Sequence, residues 1–210
     1  MGTMAMTGTI NVKNKPNANT TCDQLYNLST GTGANILNEL QRVIDNLEKH
    51  WIGDDASKHQ NKLRAIYKRL GNCLDDAIKY SALAGNSIKK LLSVSNANVG
   101  LAGMDMLSMK TLNKKTYGEL NEAETRWYCE PGTTSTDYQN LLELSKSFAE
   151  FRKKFIGLKD DLMSNWIDGM DRQSAYAAFE RFSTDSSKDV DIINTAAEYL
   201  NTAIQNISQL

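Results

Sequence analysis

Two short tryptophan turns, Trp51-Ile52-Gly53 and Trp166-Ile167-Asp168-Gly169, occur 115 residues apart in this 210-residue sequence. Thirty residues before each tryptophan stands a threonine, Thr21 or Thr136, and a glutamine follows each threonine three positions later. Thr-x-x-Gln is the capping-box pattern that satisfies orphan amides in the first turn of a helix. The repeated spacing predicts that each half of the chain consists of a cap, a long helix, a tryptophan turn and a second long helix.

The apolar residues around the two turns follow helical spacing and match one another at the same offset. Those ahead of the first turn are Ile36, Leu40, Val43 and Leu47, and those ahead of the second are Phe151, Phe155, Leu158 and Leu162. Steps of three and four residues place each set on one helix face. Similar seams run from Leu63 to Leu91 and from Tyr176 to Ile207. A lone hairpin cannot bury such faces, so we predict an all-α four-helix bundle made of two tandem helical hairpins.

This interpretation divides the chain into four segments. They are a flexible N-terminal arm (1–20), a first hairpin (21–95), a connector (96–135) and a second hairpin (136–210). A long unstructured link is unusual inside a compact domain, so we expect a short helix within 112–126 and packing of Trp127 or Tyr128 against the bundle.

Two places within the predicted helices carry residues that disfavour regular structure. Gly31-Thr32-Gly33 interrupts the first helix, and each glycine costs about 1 kcal/mol relative to alanine there. The polar run from Ser183 to Ser187 weakens the last helix. We therefore expect a kink or a 3₁₀ turn at the first place, and a bend or a break at the second.

Composition and charge exclude several classes of function. The net charge is −1, so no basic excess exists to attract nucleic acid. No apolar run approaches the roughly 18 residues of a membrane span. Residues 1–18 lack the charged start and apolar core of a Sec signal peptide. We expect a protein that is secreted by a Sec-independent route, or that is cytoplasmic before its export.

The sequence contains no pattern typical of catalysis, of a metal site or of a cofactor site. The three cysteines have no close spacing and are expected to be free thiols. His50 and His59 are the only histidines, and adjacent aspartates point away from each other on a helix. No glycine-rich phosphate loop follows a predicted strand. We expect a non-enzymatic protein without metal or cofactor, in which Met104, Met106 and Met109 are either connector filling or an adaptable surface.

A Trp-x-Gly turn between two long helices resembles the WXG-motif family, the Esx-type proteins of type VII secretion. Ala56 follows the first turn, and Ala175 and Tyr176 follow the second, as in the family pattern. The first unit has His59 or Gln60 where the family has an aromatic residue, and the second unit has an extra residue between tryptophan and glycine.

The resemblance implies that two family hairpins, which normally pair as a dimer, are fused here as an intramolecular pseudo-dimer. It also implies export by a signal that combines the Trp-x-Gly turn with a Tyr-x-x-x-Asp/Glu at the end of the partner's second helix. Tyr176-x-x-x-Glu180 has that spacing but lies near the start of a helix, whereas Tyr199 is followed by Ala203 in the acidic position. The candidate recognition residues are Trp51, Gly53, Trp166, Gly169, Tyr176 and Glu180.

The sequence therefore favours a non-enzymatic protein that is secreted by, or associated with, a type VII system of a Gram-positive bacterium. Expected partners are the secretion ATPase or another WXG-type protein, with the chain either a monomer or a further homodimer. Two alternatives stay open: an adaptor module unrelated to secretion, and a membrane-active helical protein. In each case antiparallel hairpins would put the two tryptophan turns at opposite ends, with Trp51 beside the C-terminal end of the last helix.

Overall fold

The computed structural model describes residues 11–95, 105–121 and 128–208, and most of them are helical. The helices are α1 (Lys15–Asn27), α2 (Gly33–His50), α3 (Asp54–Ser95), α4 (Pro131–Asn165) and α5 (Met170–Ile207), with a π-helical turn at Leu28–Thr32 that joins α1 to α2. The described residues also form four very short strands, one before α1 and three between helices: β1 (Asn11–Val12), β2 (Trp51–Ile52), β3 (Tyr128–Cys129) and β4 (Trp166–Asp168). The predicted all-α class is confirmed.

The long helices pack side by side around one hydrophobic core. Helices α1 and α2 contact both α3 and α4, and α5 also contacts both α3 and α4. The predicted seam residues of α2, from Ile36 to Leu47, are all buried, and those of α4 are buried except Leu158, which is partly buried. The two halves of the chain therefore cover each other's apolar faces, as their periodicity predicts.

The strands fix the directions of the two hairpins. Strand β1 pairs antiparallel with β4, which puts Val12 opposite Trp166. Strand β3 pairs antiparallel with β2, which puts Cys129 opposite Trp51. The start of α1 thus lies beside the end of α4, and the start of α4 lies beside the end of α2. The two tryptophan turns lie at opposite ends of the molecule, in agreement with the prediction; these are called below the Trp51 end and the Trp166 end.

The predicted capping boxes do not form. The Thr21 hydroxyl donates to Asp161 Oδ2 at 2.8 Å, and the Thr136 hydroxyl donates to the carbonyl of Gly132 at 3.3 Å. Both threonines lie inside helices, because each helix begins at a signal further upstream. Asn14 caps α1 by accepting from the amide of Asn17 at 3.1 Å.

Both hairpins consequently begin before the predicted boundaries at residues 21 and 136. Pro16 stands in the first turn of α1, and Pro131 stands in the first turn of α4. Proline is favourable there because its missing amide would be unpaired in any case and its φ is already helical. The predicted flexible arm is thus wrong for residues 11–20, which contain β1 and the start of α1; residues 1–10 lie outside the described part of the chain.

The two expected irregularities have different outcomes. The first helix is distorted where predicted, but by a π-helical turn that ends at Thr32 and not by a 3₁₀ turn. Helix α5 runs unbroken through its polar run. Arg152 of α4 stabilises that stretch, since its guanidinium donates to Ser186 Oγ at 3.1 Å and to the carbonyl of Ser183 at 2.9 Å.

The expected connector helix is absent from the described residues of the connector. Residues 105–121 form no helix and lie along α3, with Leu107 held by Asn86 and Leu120 held by Asn61. Those two asparagines are about 37 Å apart along a helix, whereas a helical connector between the same contacts would span only about 20 Å. An extended chain reaches about 43 Å over this stretch, so the distance requires an extended path. Of the predicted packing residues, Tyr128 is exposed in β3, and Trp127 lies outside the described residues.

Candidate functional site

Both tryptophan turns are built from a buried indole and a glycine with left-handed backbone. Trp51 is 3% exposed and Trp166 is fully buried. Gly53 has φ of 139° and Gly169 has φ of 129°, a region that disfavours residues with a Cβ. The glycines let the chain reverse directly after each tryptophan. The indoles close the ends of the core and present little aromatic surface.

A side chain from the following helix holds each turn. At the Trp51 end, Gln60 Nε2 donates to the carbonyl of Leu47 at 3.0 Å and to the carbonyl of Trp51 at 2.8 Å. At the Trp166 end, Arg172 donates to the carbonyls of Trp166 and Met163. In each case the side chain donates to the carbonyl of the tryptophan and to a carbonyl in the last turn of the preceding helix, which ties the two helices of the hairpin together at the turn. The two turns thus have the same construction despite their different lengths.

An aromatic stack lies at the Trp51 end. The ring of His59 lies 5.6 Å from that of Trp51 and stacks on Tyr199 of α5, with centroids 5.1 Å apart and planes at 12°. Lys62 Nζ lies 4.9 Å from the centroid of the Tyr199 ring. Tyr199 is 39% exposed, so the buried Trp51 is connected through His59 to a ring at the protein surface.

Two adjoining cavities meet at Tyr199 and form what we call the Trp51 groove. One has a volume of about 270 Å³ and is lined by Trp51, Asp55, Tyr199, Thr202, Ala203, Asn206 and Ile207. The other has a volume of about 360 Å³ between α3 and α5 and is lined by His59, Lys62, Ala65, Ile66, Ile192, Thr195, Ala196 and Tyr199. The last turns of α5 therefore lie beside the Trp51 turn, as the antiparallel arrangement predicts. The groove offers an apolar floor with a tyrosine and a lysine at its rim.

His59 is buried without a hydrogen-bond partner for either ring nitrogen among the described residues. Burial, together with the positive charge of Lys62, lowers the pKa of His59 to about 4. The imidazole is therefore neutral at physiological pH and packs as an aromatic ring. It occupies the position where the sequence departs from the WXG pattern.

Tyr176 and Glu180 lie away from the Trp51 groove, near the start of α5. Tyr176 is 46% exposed, and Glu180 accepts from Lys159 Nζ at 2.7 Å. The same ammonium lies 5.9 Å from the centroid of the Tyr176 ring. The structure thus joins these two candidates to each other through Lys159 of the same hairpin. It brings Tyr199, and not Tyr176, beside Trp51.

Sequence reasoning did not single out His59, Gln60 or Tyr199 as parts of one site. Tyr199 lies 140 positions after His59, and no periodic pattern relates residues so far apart. One usable signal exists, since a polar pair, His59-Gln60, interrupts an otherwise aliphatic seam one turn before Leu63. Buried polar residues in such positions commonly have a specific partner, which here is the turn itself.

The described residues contain no cluster of three or more metal-ligating side chains. The cysteines are all unpaired, and burial raises the pKa of Cys22 to about 12, which keeps it a thiol. In the described part of the chain, no helix combines the length and hydropathy needed to cross a bilayer. Met106 and Met109 are exposed, and Met104 lies outside the described residues.

No protein-family model, curated protein or solved structure matches this chain significantly.

Proposed function

We propose that this chain is a non-enzymatic, WXG-type protein that acts by protein–protein recognition as a tandem pair within one four-helix bundle. In this proposal it is secreted by, or associated with, a type VII system of a Gram-positive bacterium. Its partner is the secretion ATPase or another WXG-type protein, and the recognition surface is the Trp51 groove.

The observation that carries the proposal is the reciprocal pairing of the two hairpins. The lead-in strand of each hairpin pairs with the tryptophan turn of the other, so each turn is completed by the opposite half of the chain. This is the relation expected of two equivalent subunits joined in cis. It supports the interpretation as a fused pair more directly than the short Trp-x-Gly motif does.

The surroundings of the Trp51 turn support a recognition role at that end. The family signal combines a tryptophan turn with a tyrosine near the end of a neighbouring second helix, and Tyr199 lies in that place. Ala203 stands where the family has an acidic residue, and Asp55 lines the same cavity from α3. In our proposal Asp55 supplies the acidic group from a different helix. Tyr176 and Glu180 become a structural contact with Lys159.

Secretion tests the first part of the proposal. The protein is expressed in its host with and without the type VII ATPase, and culture medium and cells are blotted separately. We expect the extracellular protein to disappear in the strain that lacks the ATPase, while a cytoplasmic marker stays in the cells. Equal amounts in the two media would refute the assignment to this secretion route.

A matched pair of tyrosine variants tests the location of the surface. Tyr199→Ala removes the exposed ring beside Trp51, and Tyr176→Ala removes a similarly exposed ring elsewhere on α5. We expect Tyr199→Ala and Asp55→Asn to reduce export or ATPase capture at least tenfold, with little effect of Tyr176→Ala. Loss of export with Tyr176→Ala alone would move the recognition site to the other end of the molecule.

A further inference from the structure

The extended segment 105–121 lies in a groove formed mainly by α3, with α1 and α2 along its side. Side chains of α3 form hydrogen bonds with the main chain of this segment. Asn86 forms two hydrogen bonds with the backbone of Leu107: Nδ2 donates to the carbonyl at 2.9 Å, and Oδ1 accepts from the amide at 2.7 Å. Asn61 forms the same pair with Leu120, at 3.0 and 2.9 Å. A side-chain amide that binds both backbone groups of one residue recognises extended chain independently of its sequence.

Between these two asparagines, two further backbone amides of the segment donate hydrogen bonds to side chains. The amide of Leu112 donates to Asp75 Oδ1 at 2.7 Å, and the amide of Lys115 donates to the Tyr67 hydroxyl at 3.0 Å. Both accepting residues, Asp75 and Tyr67, lie on α3. The Tyr26 hydroxyl of α1 also donates to the carbonyl of Ser108 at 2.7 Å, and Arg64 of α3 donates to the carbonyl of Gly118, so six side chains hydrogen-bond the main chain of the segment.

Charge pairs fix which residues of the segment lie opposite which residues of the groove. Lys114 pairs with Asp75, and Lys115 pairs with Asp45 of α2 at 2.8 Å. The Tyr117 hydroxyl donates to the same Asp45 carboxylate at 2.7 Å. Burial opposes ionisation of Asp45, but the hydrogen bonds from Lys115 and Tyr117 outweigh it and lower the pKa of Asp45. The groove thus matches two adjacent lysines and a tyrosine two positions after the second lysine.

Glycines make room for the segment on the surface of α3. A Cβ built on Gly71 would lie 2.7 Å from Lys114 Cδ, and one built on Gly85 would lie 2.5 Å from Leu107 Cδ1. A glycine inside a helix is unfavourable relative to alanine, so its presence there calls for a steric reason. Both glycines are compatible with a groove shaped to receive another chain segment.

The segment lies at the edge of the hydrophobic core, where the Tyr117 ring packs edge-on against buried Tyr67 with centroids 5.4 Å apart. None of its residues from 105 to 121 is fully buried, and only Leu112 and Tyr117 pack against the core from outside. The segment is therefore attached to a bundle whose own core consists of the helices and the tryptophan turns.

We propose that this groove is a binding site for an extended peptide of the connector's chemistry, and that the connector is its detachable ligand in cis. A groove vacated by its own connector would accept the same segment in trans, from a second copy of the chain. This inference does not depend on the proposed role in secretion.

A peptide-binding experiment tests the proposal on the full-length protein. In the connector variant Leu107→Ser/Leu112→Ser/Tyr117→Ser, the apolar contacts of the segment are lost while the groove is unchanged. The probe is a fluorescent synthetic peptide with the native sequence of residues 105–121, and binding is followed by anisotropy. We expect the connector variant to bind at least tenfold more tightly than the wild-type chain, whose tethered connector competes at high effective concentration.

The matched control adds Asn61→Ala and Asn86→Ala to the connector variant. Loss of the hydrogen bonds that these two asparagines form with the peptide backbone is expected to weaken peptide binding at least tenfold. A connector variant that keeps its helical circular dichroism but fails to bind the peptide would overturn the proposal. Binding that is unaffected by the two alanines would overturn it as well.

Native-state hydrogen exchange tests the proposal on the wild-type chain, with two alanine variants as a comparison. We expect the amides of Leu107, Leu112, Lys115 and Leu120 to exchange through a local opening, at least tenfold faster than the core amides of α3. Gly85→Ala should accelerate this exchange by pushing Leu107 aside, whereas Gly157→Ala, which has open space around it, should leave it unchanged. Connector amides that exchange only with global unfolding would contradict a detachable ligand.

Discussion

The backbone amide of Glu130 donates a 2.9 Å hydrogen bond to the carbonyl of His50, the residue that precedes Trp51. The equivalent bond at the other end joins the amide of Lys13 to the carbonyl of Asn165 at 2.8 Å, and Asn165 precedes Trp166. Each tryptophan turn is thus closed by a segment from the other hairpin. Neither turn has its full set of contacts until both halves of the chain are folded.

Truncating Trp166 should destabilise the fold strongly. The indole is fully buried, so Trp166→Ala leaves a large cavity and is expected to cost about 3–5 kcal/mol in the free energy of unfolding. Trp166→Phe should cost clearly less, because Nε1 has no hydrogen-bond partner among the described residues and phenylalanine still fills much of the space. Urea denaturation of the two variants measures the difference. Equal losses would show that ring volume is not what Trp166 contributes.

The two turn glycines should not tolerate a side chain. Their positive φ values make Gly53→Ala and Gly169→Ala unfavourable by about 1–3 kcal/mol each. Gly157→Ala is the matched control, since this exposed position in α4 has open space and should gain about 1 kcal/mol in helix stability. Thermal melting of the three variants gives the sign of each change. Stabilisation by either turn substitution would rule out a strained turn.

Acid should destabilise the protein through His59. Its pKa is about 4 in the folded chain and 6.5 when unperturbed, so below pH 6.5 the unfolded state binds a proton that the folded state does not. Stability should therefore fall as the pH drops from 6.5 to 4, by about 3 kcal/mol from this group. His59→Phe keeps a ring between Trp51 and Tyr199 and should remove this component. Urea unfolding at several pH values tests it, and an unchanged pH dependence in the variant would contradict the assignment.

Unfolding should not depend on protein concentration. Because the reciprocal contacts are made within one chain, no association step enters the folding equilibrium of a monomer. We expect the melting temperature to agree at about 0.2 and about 20 µM, within the error of the measurement. A rise in melting temperature with concentration, together with a dimer in light scattering, would indicate that the stable unit contains two chains.

Periodicity is the part of the sequence that predicted most of the fold. Seams such as Leu63 to Leu91 are long enough for a helical spacing to be unambiguous. Helix α3, from Asp54 to Ser95, contains the whole of that seam. The predicted start of the first helix in each hairpin is wrong because Thr-x-x-Gln was given more weight than two better signals, Asn14 with Pro16 and the lone Pro131. Strands of two or three residues cannot be recognised by alternation, so the pairing of Val12 with Trp166 has no sequence signature.

The connector and the site depend on tertiary geometry that local sequence does not encode. Only the separation of the two ends forces residues 105–121 to be extended, and that separation follows from which end α4 starts at. Gly71 and Gly85 lie within the sequence of α3, but nothing in the sequence shows that another segment covers them. The same holds for Tyr199, whose contact with His59 exists only because α5 returns to the Trp51 end.

Because residues 105–121 run extended along α3, the length of the connector must match the length of the helical bundle, which we call the rod. Removing one heptad from each long helix would shorten the rod by about 10 Å, which corresponds to about three residues of extended chain. A variant shortened by whole heptads would therefore need a proportionate deletion in the connector to keep its attachment points in phase. Changes of rod length in this architecture are coupled across five places in the chain, and insertion or deletion in one helix alone leaves the others out of step.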